Sequence, residues 1–434
     1  MSKYLDYNGL KHYTDMYIKP FQKSLAWELY GYRIDKNNLH SDTRVEYLFD
    51  AVGKTPAYMD FNAGSFNYGD WTDVWFIKNN RPVALTFGGE VDYELSHTDF
   101  TKKIDGTTAS DVENVNYNGN FMSEMPLVYV NRWEDENYNY VAFSNAPIND
   151  NFNAFAFTNA YGDIQNFMYL PMFKGSKDGN NRLRSLMKTT PWNTTGGALN
   201  EVTAASACGD GWQLWDKAKI DLIMDLIVLI TKSTSCRAKI GNGVCNTGSS
   251  ASALVKSGYE ADGTTRSANA QFFGTEGTDS TNYGKHHMIA FYIEDLWANR
   301  WDRCLGFNLV DNVYKIKMVP PYALTPDSTY QTLDIIPPEN GWLENISSGI
   351  YGDVPTEVGA SNESGFANYF AKNSSDNRLL LFGGFADYGL RGGRSLSLAA
   401  VPTYLHWSVG ASPIYLNPIK NAITNNQIDT IWNS

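Results

Sequence analysis

The residue types that do chemistry are present in this chain but scattered. Six histidines fall at positions 12, 40, 97, 286, 287 and 406, too dispersed for a metal site made by spacing. His286 and His287 are adjacent, so on a strand they face opposite sides and on a helix they diverge by about 100°. The four cysteines (Cys208, Cys236, Cys245 and Cys304) lack C-x-x-C spacing and read as isolated reduced thiols. Neither G-x-S-x-G nor H-E-x-x-H occurs. The stretch GGFADYGLRGG (Gly383 to Gly393) has the glycine content of a phosphate loop. However, Leu390 and Arg391 follow Gly389 where Lys and Ser/Thr would be required, and no clear helix follows to supply a dipole. Glu294 and Asp295 are the best-placed carboxylates, and a structural role accounts for them. These observations predict no catalytic residues, no metal ligands and no enzyme activity.

A different chemistry is concentrated near the C-terminus, in the window Asn377 to Leu416, NRLLLFGGFADYGLRGGRSLSLAAVPTYLHWSVGASPIYL. An apolar strand (Leu379 to Phe382) runs into a double glycine. Bulky or charged residues (Phe385, Asp387, Tyr388, Leu390, Arg391) then alternate with small ones (Ala386, Gly389, Gly392, Gly393). A second apolar strand (Leu396 to Val401) leads to Pro402, Thr403, Tyr404, Leu405, His406 and Trp407. Large, chemically mixed side chains on glycine-bounded backbone between strands suit a recognition surface on a rigid scaffold. A decorated surface loop would read the same way.

The elements that must position this window come next. From about Thr55 the chain consists of short apolar and aromatic runs broken by Gly, Asn and Asp. WTDVWFI (Trp71 to Ile77) and RPVALTF (Arg81 to Phe87) read as strands, with a turn at Gly88-Gly89. MPLVYVNRW (Met125 to Trp133) and YNYVAF (Tyr138 to Phe143) read as a strand pair across the acidic turn Glu134 to Asn137. Two helices are predicted, from about Trp212 to Lys232 and over His287 to Arg303, with a strand at the start of the latter as the alternative. The first holds the greasiest window, Ile220 to Ile230, too short to span a bilayer and hence a buried helix. Gly241 to Gly284, rich in Gly, Ser, Thr and Asn, reads as a long surface excursion. Before residue 50, Leu10, Tyr13, Met16 and Tyr17 lie at helical spacing until Pro20, giving a short helix for docking or for packing on its own domain. The class is α+β, with mostly antiparallel short strands and a few helices.

Composition limits the partners. The 434 residues suffice for two or three domains or one large decorated one. A formal charge of −12 argues against nucleic-acid binding through phosphate neutralisation. The opening MSKYLDYNGLKHY has no apolar stretch of signal-peptide length, which predicts synthesis in the cytoplasm without a leader and no membrane insertion.

At the C-terminal window the sequence resembles a known family. The frame GG-x-x-x-x-G-x-x-x-G, then a strand, then P-x-x-x-x-W-x-x-G-A, is similar to the variable region of retroelement-diversified proteins. Those regions sit on a C-type lectin fold of the formylglycine-generating-enzyme type, often in bacteriophage tail or baseplate receptor-binding proteins. IEDLWANRWDR (Ile293 to Arg303) resembles the family's Trp-rich core motif, with Trp297 and Trp301 retained and Ala298 in place of the usual glycine. MSEMPLVYVNRW (Met122 to Trp133) resembles its early strand, and KYLDYNGLKHY the N-termini of phage tail components.

The resemblance implies contact residues Phe385, Asp387, Tyr388, Leu390 and Arg391 in a first segment and Tyr404, Leu405, His406 and Ser408 in a second, all types encodable by the NNY codons such diversification yields. Gly383, Gly384, Gly389, Trp407, Trp297 and Trp301 would be scaffold. It implies an attachment or oligomerisation segment over 1–54, with a trimer favoured, and a lectin-type domain over 55–434 whose variable part spans about 377–416. It further implies a virion location, tail or baseplate proteins as partners, and a host cell-surface protein or glycan as ligand. Structural calcium is possible on such a fold, but no D-x-D-x-D-G loop is present. A non-diversified virion component and a bacterial surface-displayed binding protein are the alternatives. The fold's enzymes need an active cysteine pair or an iron-binding histidine set. No Cys follows Cys304 and no such His set is present, so the resemblance carries over the fold and not the catalysis.

Overall fold

The computed structural model describes residues 27–192, 196–266, 269–275, 284–387, 389 and 393–418. The expected N-terminal helix around Leu10 to Pro20 lies outside these residues. Strand predominates over helix, and nearly all pairings are antiparallel.

Three large sheets dominate, accompanied by three small ones of two or three strands. A four-stranded sheet runs Val45–Phe49, Leu29–Asp35, Tyr138–Ser144, Tyr129–Glu134. A six-stranded sheet runs Trp212–Leu214, Pro413–Tyr415, Phe167–Pro171, Gly119–Pro126, Arg81–Thr86, Val91–Glu94. In the largest, Trp301–Val310 pairs with Asn377–Phe382, which pairs with Leu396–Leu398. Two of its pairings are parallel: Tyr369–Lys372 with Leu396–Leu398, and the start of Trp301–Val310 with Val409–Gly410.

The helix Lys217–Thr231 holds the sheets together. Asp216 caps it by accepting from the Lys219 N–H at 3.1 Å, and every residue of it is buried. Its carboxylates are therefore inside the core. Asp225 accepts from Arg132 Nε (2.8 Å), Tyr32 Oη (3.0 Å) and Arg394, while Asp221 pairs with Lys217 and Arg394 also holds Asp353. Buried charges survive only when paired in this way. Burial drives the Asp225 carboxyl up to about 6, helped by Asp353 and opposed by Arg132 and Arg394. No described helix is long and apolar enough to cross a membrane.

Several expectations are met. Arg81–Thr86 is a strand followed by a turn, Tyr129–Glu134 pairs with Tyr138–Ser144 across 135–137, and Asn377–Phe382 is a strand. Others are corrected. Trp71 to Ile77 is a turn leading into the short helix Trp75–Lys78, because Trp75, Phe76 and Ile77 are consecutive and all buried, which an alternating strand facing water could not achieve. The helix expected from Trp212 begins at Lys217, after the strand Trp212–Leu214 and the Asp216 cap.

His287 to Arg303 contains no helix. It forms two short strands, Ile289–Ala290 and Ile293–Glu294, then tight bends, before the long strand begins at Trp301. The excursion 241–284 is not wholly at the surface, since Val244, Cys245, Val255 and Ser257 are buried. The expected segment 1–54 is described only from residue 27. The strands Leu29–Asp35 and Val45–Phe49 share a sheet with residues 129–144, and Tyr30, Tyr32, Ile34 and Val45 belong to the main core.

Candidate functional site

The site starts with a floor. Every residue from His287 to Leu309 is buried. Within it, Phe291, Tyr292, Asp295, Ala298 and Asn299 have left-handed backbone, with φ of 53°, 62°, 51°, 72° and 57°. Each such non-glycine costs on the order of 1–2 kcal/mol and persists only where the surroundings dictate it. Specific hydrogen bonds hold it: Trp297 Nε1 donates to Gly241 O at 3.0 Å, and Asn299 spans to Val255 through both its side-chain carbonyl and amide (3.0 and 2.9 Å).

The first segment of the window lies on this floor through its main chain. Ala298 N–H donates to Gly383 O (2.7 Å), Ala386 N–H to Asn299 O (3.0 Å), Thr247 N–H to Ala386 O (3.0 Å), and Gly389 N–H to Cys245 O (3.2 Å). Gly383 is required here, because φ is 94° and a Cβ would sit 3.0 Å from Leu296 O. Ala386 points down into Val244, Ala253 and Val255. Phe385 is half-buried, its ring 5.5 Å from that of Trp407 and 6.4 Å from those of Trp301 and His406. Asp387 is exposed. The expected contact residues Tyr388, Leu390 and Arg391 lie outside the described residues.

The second segment is held in the same manner. Pro402 O accepts from Ala198 N–H (2.8 Å) at the start of the helix Gly197–Ser206, and Ser408 O accepts from Trp301 N–H (2.9 Å). Tyr404 O accepts from Arg303 Nη2. Arg303 is fully buried, with Nε 2.6 Å from Glu201 Oε2 on the same helix. Burial lifts the Glu201 carboxyl to about 7 against the pull of Arg303 and Arg300. Beneath the segment's exit, Arg300 donates to Gly175 O, Trp192 O and Ala411 O and pairs with Asp302.

The side chains of the second segment point outward. Tyr404 is 40% and Leu405 51% exposed. The His406 ring stacks on Tyr404 at 5.9 Å and 13°. Its Nδ1 lies 2.7 Å from Ser408 Oγ and 3.4 Å from the Ser408 backbone nitrogen. Ser408, expected as a contact residue, is instead buried at 2% exposure and supports His406 from below. The expected scaffold residues Gly383, Gly384, Trp297 and Trp301 are buried. Trp407 is half-buried against the Val244 cluster, and Gly389 is half-buried at φ 66°. The result is a contiguous aromatic and apolar face of Phe385, Tyr404, Leu405, His406 and Trp407.

Sequence reasoning missed the clamp of Arg303, Glu201, Arg300 and Ala198. Hydrogen bonds to main-chain carbonyls leave no trace in the residue types at either end. It also missed that His287, Glu294 and Asp295 come together, their ligand-type atoms all within 4.8 Å. His286 faces away, with Nδ1 3.0 Å from Glu260. Cys208, Cys236 and Cys304 are buried and free of disulfides. No family model and no curated protein matches this chain.

Proposed function

We propose that the two segments around Phe385 and Tyr404 form the ligand-recognition face of a phage or prophage receptor-binding protein, a tail or baseplate component with a C-type lectin-type scaffold that contacts a host cell-surface protein or glycan. The observation carrying this reading is the division of labour in the two segments. Their backbone groups bond to the floor, while Asp387, Tyr404 and Leu405 are exposed, so these side chains are available for recognition. Aromatic rings with few torsions give contact area at low entropic cost. Weak single contacts suffice when many copies act together on one particle.

The test pairs adsorption with stability. Tyr404→Ala and Leu405→Asp are expected to reduce adsorption of particles carrying the protein at least tenfold while leaving the thermal midpoint unchanged. Normal adsorption by both variants would overturn the assignment of the face. Loss of particle assembly in place of adsorption would favour a structural virion component.

A further inference from the structure

We propose that His287, Glu294 and Asp295 hold a divalent transition-metal ion, zinc by donor chemistry, as a buried staple beneath the recognition face. All three side chains are at most 2% exposed. His287 Nε2 lies 3.1 Å from Lys256 O, which can only accept, so Nε2 carries a proton. In the neutral ring the Nδ1 lone pair then points at Asp295 Oδ2 (2.5 Å) and Glu294 Oε1 (3.8 Å). A ring N–H donated to a backbone carbonyl is the usual way a protein fixes a histidine for metal ligation.

The carboxylates are oriented as well. Glu294 Oε2 is occupied by Arg266 and by the Gly258 N–H (3.0 Å), leaving Oε1 aimed at the histidine. Arg266 offsets one of the two negative charges; the other is met either by a proton between Nδ1 and Oδ2 or by a metal that parts these two atoms to more than about 3 Å. The remaining oxygens separate these cases. A proton on Nδ1 satisfies Asp295 Oδ2 alone and leaves Glu294 Oε1 and Asp295 Oδ1 buried without a hydrogen-bond partner, as they are in this structure. A metal takes Glu294 Oε1 and both Asp295 oxygens together with Nδ1. An imidazole with carboxylates suits zinc at about 2.0–2.2 Å per bond. Calcium would ask for six to eight oxygens, which this closed set does not offer. Such an ion would tie the 256–258 loop and Arg266 to the hairpin that carries Ala298 and Asn299, and hence to the backbone of the first segment.

Because the ligands are buried, loading accompanies folding. The full chain is unfolded in guanidinium with a chelator, then refolded with and without zinc, and bound metal and thermal midpoint are measured. Stoichiometric zinc and a raised midpoint are expected for the wild type, both lost in His287→Gln. Cobalt in place of zinc should give visible d–d absorption. Wild-type protein that retains only trace metal and melts at the same temperature under both conditions overturns the proposal and assigns the position to a proton. The wild-type comparison stands even if His287→Gln does not fold. It is also independent of adsorption, so failure of the staple and failure of the face are distinguishable.

Discussion

The hairpin 287–303 and the segments 383–408 are adjacent and satisfy their polar groups in opposite ways. In the hairpin, side chains bond to side chains and main chain alike. Arg300, Arg303, Glu294, Asp295 and Asn299 each depend on a particular partner, and left-handed backbone at five positions is held in place by that mutual constraint. In the segments, the anchoring atoms are the carbonyls and amides of Gly383, Ala386, Gly389, Pro402, Tyr404 and Ser408. Any residue type but proline supplies those groups. Tolerance to sequence change is therefore set by which atoms do the anchoring.

That contrast can be broken at its strongest point first. Arg303→Ala should cost about 3–5 kcal/mol, since it leaves Glu201 buried and unpaired and releases the Tyr404 carbonyl; urea unfolding checks it. Gly383→Ala should cost about 1–3 kcal/mol, because a positive φ and a backbone clash coincide at that position. Ala298→Gly reverses the sign: relief of left-handed strain should raise stability by up to about 1 kcal/mol, which calorimetry would read as a higher midpoint. Leu405→Ala and Asp387→Ala should stay within about 0.5 kcal/mol of the wild type. If these face variants destabilise as much as Gly383→Ala, the two regions do not differ in the way described.

A pH profile sharpens the comparison. Glu201 titrates near 7 in the folded state and lower once unfolded, so the folded protein binds the extra proton between those values. Its contribution to stability is therefore greatest in acid and declines as pH rises toward 7. Glu201→Gln should remove this part of the slope in thermal midpoints measured from pH 5 to 8, whereas substitutions at Tyr404 or Leu405 should leave it intact.

The legible strands were those bounded by turn residues. Arg81–Thr86, the pair Tyr129–Glu134 with Tyr138–Ser144, and Asn377–Phe382 are each a short apolar run closed by such residues, and Tyr129–Glu134 also alternates between buried and half-buried positions. The central helix was legible from its apolar run, although its start was not, because Trp212–Leu214 continues that run as a strand. Trp71 to Ile77 and His287 to Arg303 were misread for one reason. Where every side chain is buried, hydrophobic periodicity disappears and carries no information about helix or strand. The window 383–408 was legible as a face from its glycines and mixed side chains. The inward turn of Ser408 was not, since a serine serves equally as a contact or as a prop for His406.

The strand Pro413–Tyr415 lies inside the six-stranded sheet, between Trp212–Leu214 and Phe167–Pro171, with the Tyr415 ring 5.1 Å from Trp212 and 5.8 Å from Tyr169. It is encoded just downstream of the two outward-facing segments. An insertion or deletion that shifts the reading frame anywhere in 383–408 therefore removes an interior strand of a sheet whose other members lie two hundred or more residues upstream. Changes that keep the frame leave that strand in place. The fold thus acts as a checksum on the gene: a message whose frame has slipped in the segment that would vary yields a chain that cannot close its sheet, and only in-frame variants reach the folded state.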